Sequence, residues 1–243
     1  MPVPRIHCDF KLGPGAQFPL APEAAQHVAK ALRLKAGDAL MVFDGRGGEY
    51  DATIQRIDRD RVDVKVGAWR ETDRESALAL GLVQGVPEAD KMDWIIQKAT
   101  ELGVGWIQPV ICERSVVRLS GERAARREAH WRRVAIAAAE QCGRTRVPDV
   151  RPTLGFLGWV AVPATAPRWL LDPGAAPMAA QPAVPPTLEL LVGPEGGLAE
   201  RERELAIDRG CEPVALGPRV LRTETAAAAA LAAIHALWGD FRP

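Results

Sequence analysis

A chain of 243 residues, 47% hydrophobic and 26% charged, has the balance of a folded protein and suits one large domain or a small one joined to a medium one. No apolar run is long enough to cross a bilayer, the first ten residues lack the core of a secretory leader, and the four cysteines (8, 112, 142 and 211) form no close pair. These features lead us to expect a cytoplasmic protein with free thiols and neither a membrane span nor a disulfide scaffold; the formal charge of zero leaves the class of partner open.

The expected elements run as follows. Pro22 to Leu32 has the spacing of a short helix. From Asp38 to Val66 apolar residues alternate with polar ones (Leu40, Val42; Tyr50, Ala52, Ile54; Val62, Val64, Val66), as in half-buried strands. Gly45-Arg46-Gly47-Gly48 and Asp58 to Arg61 supply the turns. Phe43 to Gly48 superficially looks like the glycine loop of Rossmann-type methyltransferases, but that loop must open a helix. The alternation from Glu49 to Ile57 makes it a hairpin turn. Arg70 to Ser76 is charged and turn-rich, an exit linker. Ala77 to Val83 then reads as a strand. Asp90 can cap a helix carrying Met92, Ile95, Ile96, Ala99 and Leu102, with Gly103 ending it. Trp106 to Ile111 is a strand, and Ser120 can cap a long helix through Ala139. Eight of the twenty prolines fall in residues 152–186, which excludes long helices there, although Trp169 to Leu171 suits a short strand. Leu188 to Val192 is a buried strand, Ala199 to Arg209 a helix, Pro213 to Leu216 a strand, and Thr223 to Trp238 an alanine-rich helix. Strands alternating with helices predict an α/β domain with a largely parallel sheet, behind a small β-rich module.

Charge is distributed unevenly. Between Arg114 and Arg151 ten arginines face four acids, and residues 1–35 carry five basic groups against two acidic ones. Either these regions build a phosphate-binding face or the arginines solvate a helix. Seven tryptophans offer stacking surfaces for bases, but Trp94 and Trp131 hold helix positions that usually pack a core. The four histidines lack metal-ligand spacing, so no metal is expected.

Two strand-exit loops carry the chemistry: Leu191-Val192-Gly193-Pro194-Glu195-Gly196-Gly197, and Leu216-Gly217-Pro218-Arg219-Val220-Leu221-Arg222-Thr223-Glu224-Thr225-Ala226. Ligands of open α/β sheets collect at the carboxyl ends of strands, and glycine admits close backbone approach. Glycine loops of this kind also make simple turns, yet two on neighbouring strands favour a ligand site.

Both loops resemble the cofactor loops of the RsmE family, the 16S rRNA uridine N3-methyltransferases of the SPOUT superfamily. The resemblance extends, in order, to His27–Arg33 with Gly37-Asp38, Asp44-Gly45 through Tyr50, Gln97–Val104, Glu113-Arg114-Ser115, and Ala139–Arg144 through Val147-Pro148. It implies a PUA-like β-barrel over residues 1–72 that helps hold RNA. Residues 73–243 would then form a trefoil-knotted SPOUT domain using S-adenosylmethionine. The substrate implied is 16S rRNA or the small ribosomal subunit, at uridine 1498 of the decoding region, and the implied assembly is a homodimer. Leu171, Gly193, Pro194, Glu195, Gly196, Leu216, Gly217, Arg219, Val220 and Leu221 would bind the cofactor, and Arg5, Arg33, Arg114, Arg118 and Arg144 the RNA. Two departures stand out. Glu88 replaces the usual basic residue before Lys91-Met92-Asp93, and Ala199 replaces a Ser or Thr cap.

Uridine N3 becomes a nucleophile only after losing its proton, so a developing imidate needs fixed cationic donors. Arg222 is the first candidate, with Arg144 and Arg5 as others. Glu224 and Glu195 are candidate bases. A related enzyme acting on a tRNA ribose, and a non-catalytic RNA-binding or ribosome-assembly protein, are the competing readings.

Overall fold

The computed structural model describes residues 3–59, 61–117 and 119–241, and at residue 89 the backbone only. The chain forms two compact units, Met1–Glu75 with Ala139–Val147, and Ser76–Ala138 with Pro148–Pro243. The short return of 139–147 into the first unit has no signature in the sequence pattern.

The first unit is built on a five-stranded sheet. Its strands are β1 (Arg5–His7), β2 (Gln17–Pro19), β3 (Ala39–Phe43), β4 (Glu49–Asp58) and β5 (Arg61–Arg70), in the order β1-β3-β4-β5-β2. Period-two alternation sends Leu40, Val42, Ala52, Ile54, Val62, Val64 and Val66 into one core with Ile6 and Leu20. The glycine-rich stretch is the β3–β4 turn, as expected, with Gly45, Gly47 and Gly48 all at positive φ. The expected helix from Pro22 stops early. Helix α1 covers Pro22–Gln26, and His27–Ala31 is a single wide turn in which the Leu32 N–H reaches back five residues to the His27 carbonyl at 2.9 Å. Arg33 follows at φ 55.

The second unit is an all-parallel sheet flanked by helices. It contains β6 (Ala79–Gly85), α2 (Ala89–Glu101), β7 (Trp106–Ile111), α3 (Gly121–Cys142), β8 (Asp149–Val150), β9 (Leu154–Gly155) and α4 (Phe156–Ala161). After these come β10 (Arg168–Leu171), β11 (Thr187–Val192), α5 (Glu200–Asp208), β12 (Cys211–Val214) and α6 (Thr223–Trp238). The order is β12-β10-β11-β6-β7-β8, with β9 also on β7. Leu80, Leu82, Ile107, Leu188, Leu190 and Leu191 are buried, as strands covered on both faces require. The last turn of α3, from Ala139, counts with the first unit. Among the described residues no helix is long and apolar enough to cross a membrane.

One helix start departs from expectation, and another lacks its side-chain cap as expected. Helix α2 begins one residue before Asp90, with Glu88 as its N-cap and no side-chain cap bond, so Asp90 stands in the first turn and serves the dipole instead. Helix α5 begins after Ala199, which has no acceptor. The buried Glu202 carboxylate compensates by accepting the Ala199 N–H at 3.0 Å and the Glu113 N–H at 2.8 Å. Trp131 is buried on α3, whereas Trp94 on α2 is 41% exposed, which corrects its expected core position.

One buried ion pair fixes the sheet register. Arg168 of β10 and Glu189 of β11 are direct register partners, and the Arg168 Nε donates to Glu189 Oε2 at 2.8 Å. The Trp106 indole N–H donates to the other carboxylate oxygen at 3.1 Å, and the Arg168 guanidinium lies over the Trp159 ring.

Candidate active site

Three strand exits build one cavity. In the order β12-β10-β11, strand β10 stands between the two strands whose loops drew attention in the sequence, so those strands are not neighbours. All three run in parallel, which delivers their carboxyl ends to the same edge. The loops enclose a cavity of about 340 Å³ walled by Leu170–Pro173 after β10, Val192–Leu198 after β11, Leu216, Gly217, Arg219, Val220 and Leu221 after β12, and Arg203, Thr223 and Ala226. All ten residues expected at a cofactor stand in that wall.

The loop after β11 is held from behind. Gly85 ends β6 at a place where a Cβ would stand 2.5 Å from Pro194 Cδ, so only glycine allows the approach. The buried Gln84 donates to the Thr223 hydroxyl at 2.9 Å, and that hydroxyl donates to the Gly193 carbonyl at 2.6 Å. Gln84 and Thr223 therefore couple the ends of β6 and β11 to the start of α6. From outside, the Arg114 guanidinium donates to the Gly196 carbonyl at 3.0 Å. Arg114, expected at RNA, thus supports the cavity loop. Across the cavity wall, Arg203 Nε donates to Asp172 Oδ2 at 2.7 Å.

Glu195 closes the loop onto α2. Its Oε1 accepts the Glu88 N–H at 2.9 Å and the Lys91 ammonium at 2.8 Å. Burial alone would raise its pKa, but these two donors outweigh burial and hold the carboxyl below the usual carboxylate range. A carboxylate so held is a poor proton acceptor, which removes Glu195 from the candidate bases. Because the folded pKa is depressed, the clamp is intact above the ordinary glutamate value of about 4.3 and is lost as pH falls through the lower folded value. Melting curves of wild type and Glu195→Gln are expected to differ by a constant amount above that value and to converge in stronger acid. A difference that grew on acidification would contradict the assignment.

The other candidates divide. Arg222, the N-cap of α6, is exposed between the wall residues Leu221 and Thr223. Glu224 follows in the first turn, half-buried, and its Oε2 is buried with no hydrogen-bond partner among the described residues. Arg5 and Arg144 do not fit the catalytic or RNA-contacting roles expected of them. Arg5 is spent on the Gly143 carbonyl at 2.7 Å, the Arg144 carbonyl at 2.9 Å and Glu49 at 3.1 Å. Arg144 is buried against Glu75 at 3.0 Å. Both are internal ties of the first unit. Arg33 is exposed in that unit, and Arg118 lies outside the described residues. Among the described residues no cluster of three or more potential metal ligands exists.

Sequence reasoning missed Leu170, Asp172, Pro173, Leu198 and Arg203 as wall residues, named Val192, Gly197, Thr223 and Ala226 only as members of the two loops, and gave Gln84 no role. The signal available was the parallel-sheet rule applied to the strand ending at Leu171, whose place in the strand order the sequence does not reveal.

Comparison with known proteins bears directly on this site. Residues 74–235 match the RNA methyltransferase domain family and residues 20–67 the RNA methyltransferase PUA domain family. The ribosomal RNA small subunit methyltransferase E of Bacillus subtilis is 32% identical over 228 residues, covering 89% of each chain. This chain belongs to the ribosomal RNA small subunit methyltransferase E family. Two solved relatives share its fold. A Legionella pneumophila methyltransferase in complex with SAM has a TM-score of 0.95 at 37% identity, covering 99% of this chain and 100% of that one. The Neisseria gonorrhoeae ribosomal RNA small subunit methyltransferase E bound to S-adenosylmethionine has a TM-score of 0.91 at 36% identity, covering 98% and 99%. The α/β methyltransferase fold with an amino-terminal PUA domain is that of this family.

Proposed function

We propose that this chain methylates N3 of a uridine in small-subunit ribosomal RNA, with S-adenosylmethionine as methyl donor. The observation that carries the reading is the convergence of the Gly193 and Gly217 turns in one cavity. The cavity suits the cofactor on its own geometry. Its volume of about 340 Å³ lies in the range of small-molecule sites, and a Cβ on Gly217 would meet no protein atom within 4 Å. When bound, S-adenosylmethionine supplies an electrophilic methyl group on a sulfonium.

The chain's own residues do the rest. Backbone groups of the Gly193–Gly197 and Leu216–Leu221 loops hold the donor, and Leu170, Leu171 and Leu198 exclude water beside it. Glu224, half-buried in the first turn of α6 next to the wall residue Thr223, takes the N3 proton, and the exposed Arg222 donates to the uracil oxygen that gains negative charge. Residues 1–72 are the RNA-holding module and 73–243 the methyl-transferring domain, with the trefoil knot of the family in the latter. A cytoplasmic homodimer belongs to the same reading. Its support is the family resemblance and the apolar side chains exposed in the second unit, among them Trp94, Val116 and Val220.

Arg222→Ala is expected to lower methyl transfer by about a hundredfold or more, the usual cost of one donor to a developing anion, while cofactor affinity stays within about twofold. Scintillation counting of methyl transfer and calorimetry on the same preparation read both quantities. Unchanged transfer would remove Arg222 from the reaction.

A further inference from the structure

The β3–β4 turn in the first unit shows more than hairpin geometry. A Cβ on Gly45 would stand 3.2 Å from His7 Nε2, one on Gly47 3.1 Å from an Arg146 nitrogen, and one on Gly48 2.5 Å from the Trp69 indole nitrogen. Three backbone positions without side chains are thus covered by an imidazole, a guanidinium and an indole. The turn is stitched to the 144–147 segment, since Arg46 and Arg146 form a β-bridge and the Gly47 N–H donates to the Thr145 carbonyl at 3.3 Å.

Trp69, next to last in β5, keeps 49% of its surface exposed beside this rim. Core packing does not explain an indole placed there, with one side on the turn and the other in water. The Arg146 guanidinium covers Gly47, next to the Gly48 that the indole covers. Arg46, Arg74 and Arg146 are exposed. Arg74 and Arg5 each donate to the same Gly143 carbonyl at 2.7 Å, so two guanidiniums crowd one neutral acceptor. Three acids near the turn are already engaged, while Glu71 and Asp73 stay exposed in the segment after Trp69. Glu49 holds Arg5 and the Thr72 hydroxyl, Glu75 holds Arg144 and the Arg146 N–H, and Asp44 accepts the backbone N–H groups of Arg46 and Leu12. Among the described residues the Arg46 and Arg146 guanidiniums form no ion pair.

A half-exposed aromatic ring beside unneutralised guanidiniums is the arrangement that binds single-stranded nucleic acid, because every base has a face to stack and every linkage a negative charge. We propose that Trp69 with Arg46, Arg74 and Arg146 forms a single-stranded RNA subsite on the first unit. Trp69 stacks one unpaired base, and the guanidiniums take the phosphates on either side. This rests on the reading of RNA as substrate and adds where, and in which form, the strand is gripped.

The test is fluorescence anisotropy of a labelled oligouridylate, and of an RNA duplex of equal length, on the full chain without cofactor at 50 and 200 mM salt. Trp69→Ala should weaken the single strand about tenfold and leave the duplex unchanged, and Trp69→Phe should restore most of the loss. Arg46→Ala with Arg146→Ala should flatten the salt dependence by about 0.7 in log–log slope for each phosphate no longer neutralised. Unchanged single-strand binding by Trp69→Ala, or equal losses for strand and duplex, would overturn the proposal. So would equally tight binding of polyglutamate, which would mark the patch as a dock for an acidic protein. Cofactor calorimetry on the same variants keeps the two readings apart: failure of wild type to bind S-adenosylmethionine would defeat the methyl-transfer reading and leave this one standing.

Discussion

Replacing Gly217 by valine is expected to weaken S-adenosylmethionine binding by at least about a hundredfold, which corresponds to roughly 2.8 kcal/mol. Two effects add. Gly217 holds φ at +112°, where a β-branched residue carries strain of about 1–3 kcal/mol. Its missing side chain also faces open space in the cavity wall, so the valine methyls would stand where the cofactor must lie. The substitution sits in a loop after β12, outside the hydrophobic core, so the fold should survive with a modest loss of melting temperature. Calorimetry with S-adenosylmethionine and a thermal melt on the same sample separate the two contributions. A folded variant that bound as tightly as wild type would place the cofactor elsewhere.

Glu189→Ala should be the most destabilising of these changes, at about 3–5 kcal/mol, because it strands the buried Arg168 guanidinium without its counter-charge. At roughly 2–4 °C per kcal/mol for a chain of this size, the melting temperature should fall by about 10 °C. The consequence reaches the site. Arg168 and Glu189 are paired across β10 and β11, whose exits form two sides of the cavity, so loss of the pair loosens the register that aligns Leu170 with Leu191 just before the two cavity loops. Replacing both residues by leucine should recover much of the stability, since an apolar pair avoids the stranded charge. A single variant melting within a degree or two of wild type would show that the pair is dispensable.

Much of this architecture is legible in the residues, for identifiable reasons. Trp106–Ile111 and Thr223–Trp238 are read to the residue because apolar periodicity and their flanking turns coincide there. The β4–β5 hairpin follows from alternation, β3 is a continuous apolar run buried on both faces, and the rejection of Phe43–Gly48 as a cofactor loop follows from the strand after it. What the sequence hides is nonlocal. Nothing in residues 139–147 announces that they pack with the first unit, and nothing local inserts β10 between β11 and β12. Polar groups are hidden in the same way. Arg5 and Arg144 have the composition of an RNA-binding face, yet Glu49 and Glu75, distant in sequence, consume them. Glu195 looks like a catalytic carboxylate until the Glu88 N–H and Lys91 are placed beside it. The arginine-rich run of α3 resolves largely into solvated surface, with Arg123, Arg126, Arg132 and Arg133 exposed.

Methyl transfer to N3 of a ribosomal uridine, through the cavity between the Gly193 and Gly217 turns, is tested most directly by mass spectrometry of nucleosides. Small ribosomal subunits would be incubated with purified protein and isotopically labelled S-adenosylmethionine, then digested. Labelled N3-methyluridine at a single position is the expected product, absent with Gly217→Val. Label on a ribose, or no labelled nucleoside from a protein that binds both cofactor and subunit, would contradict the account.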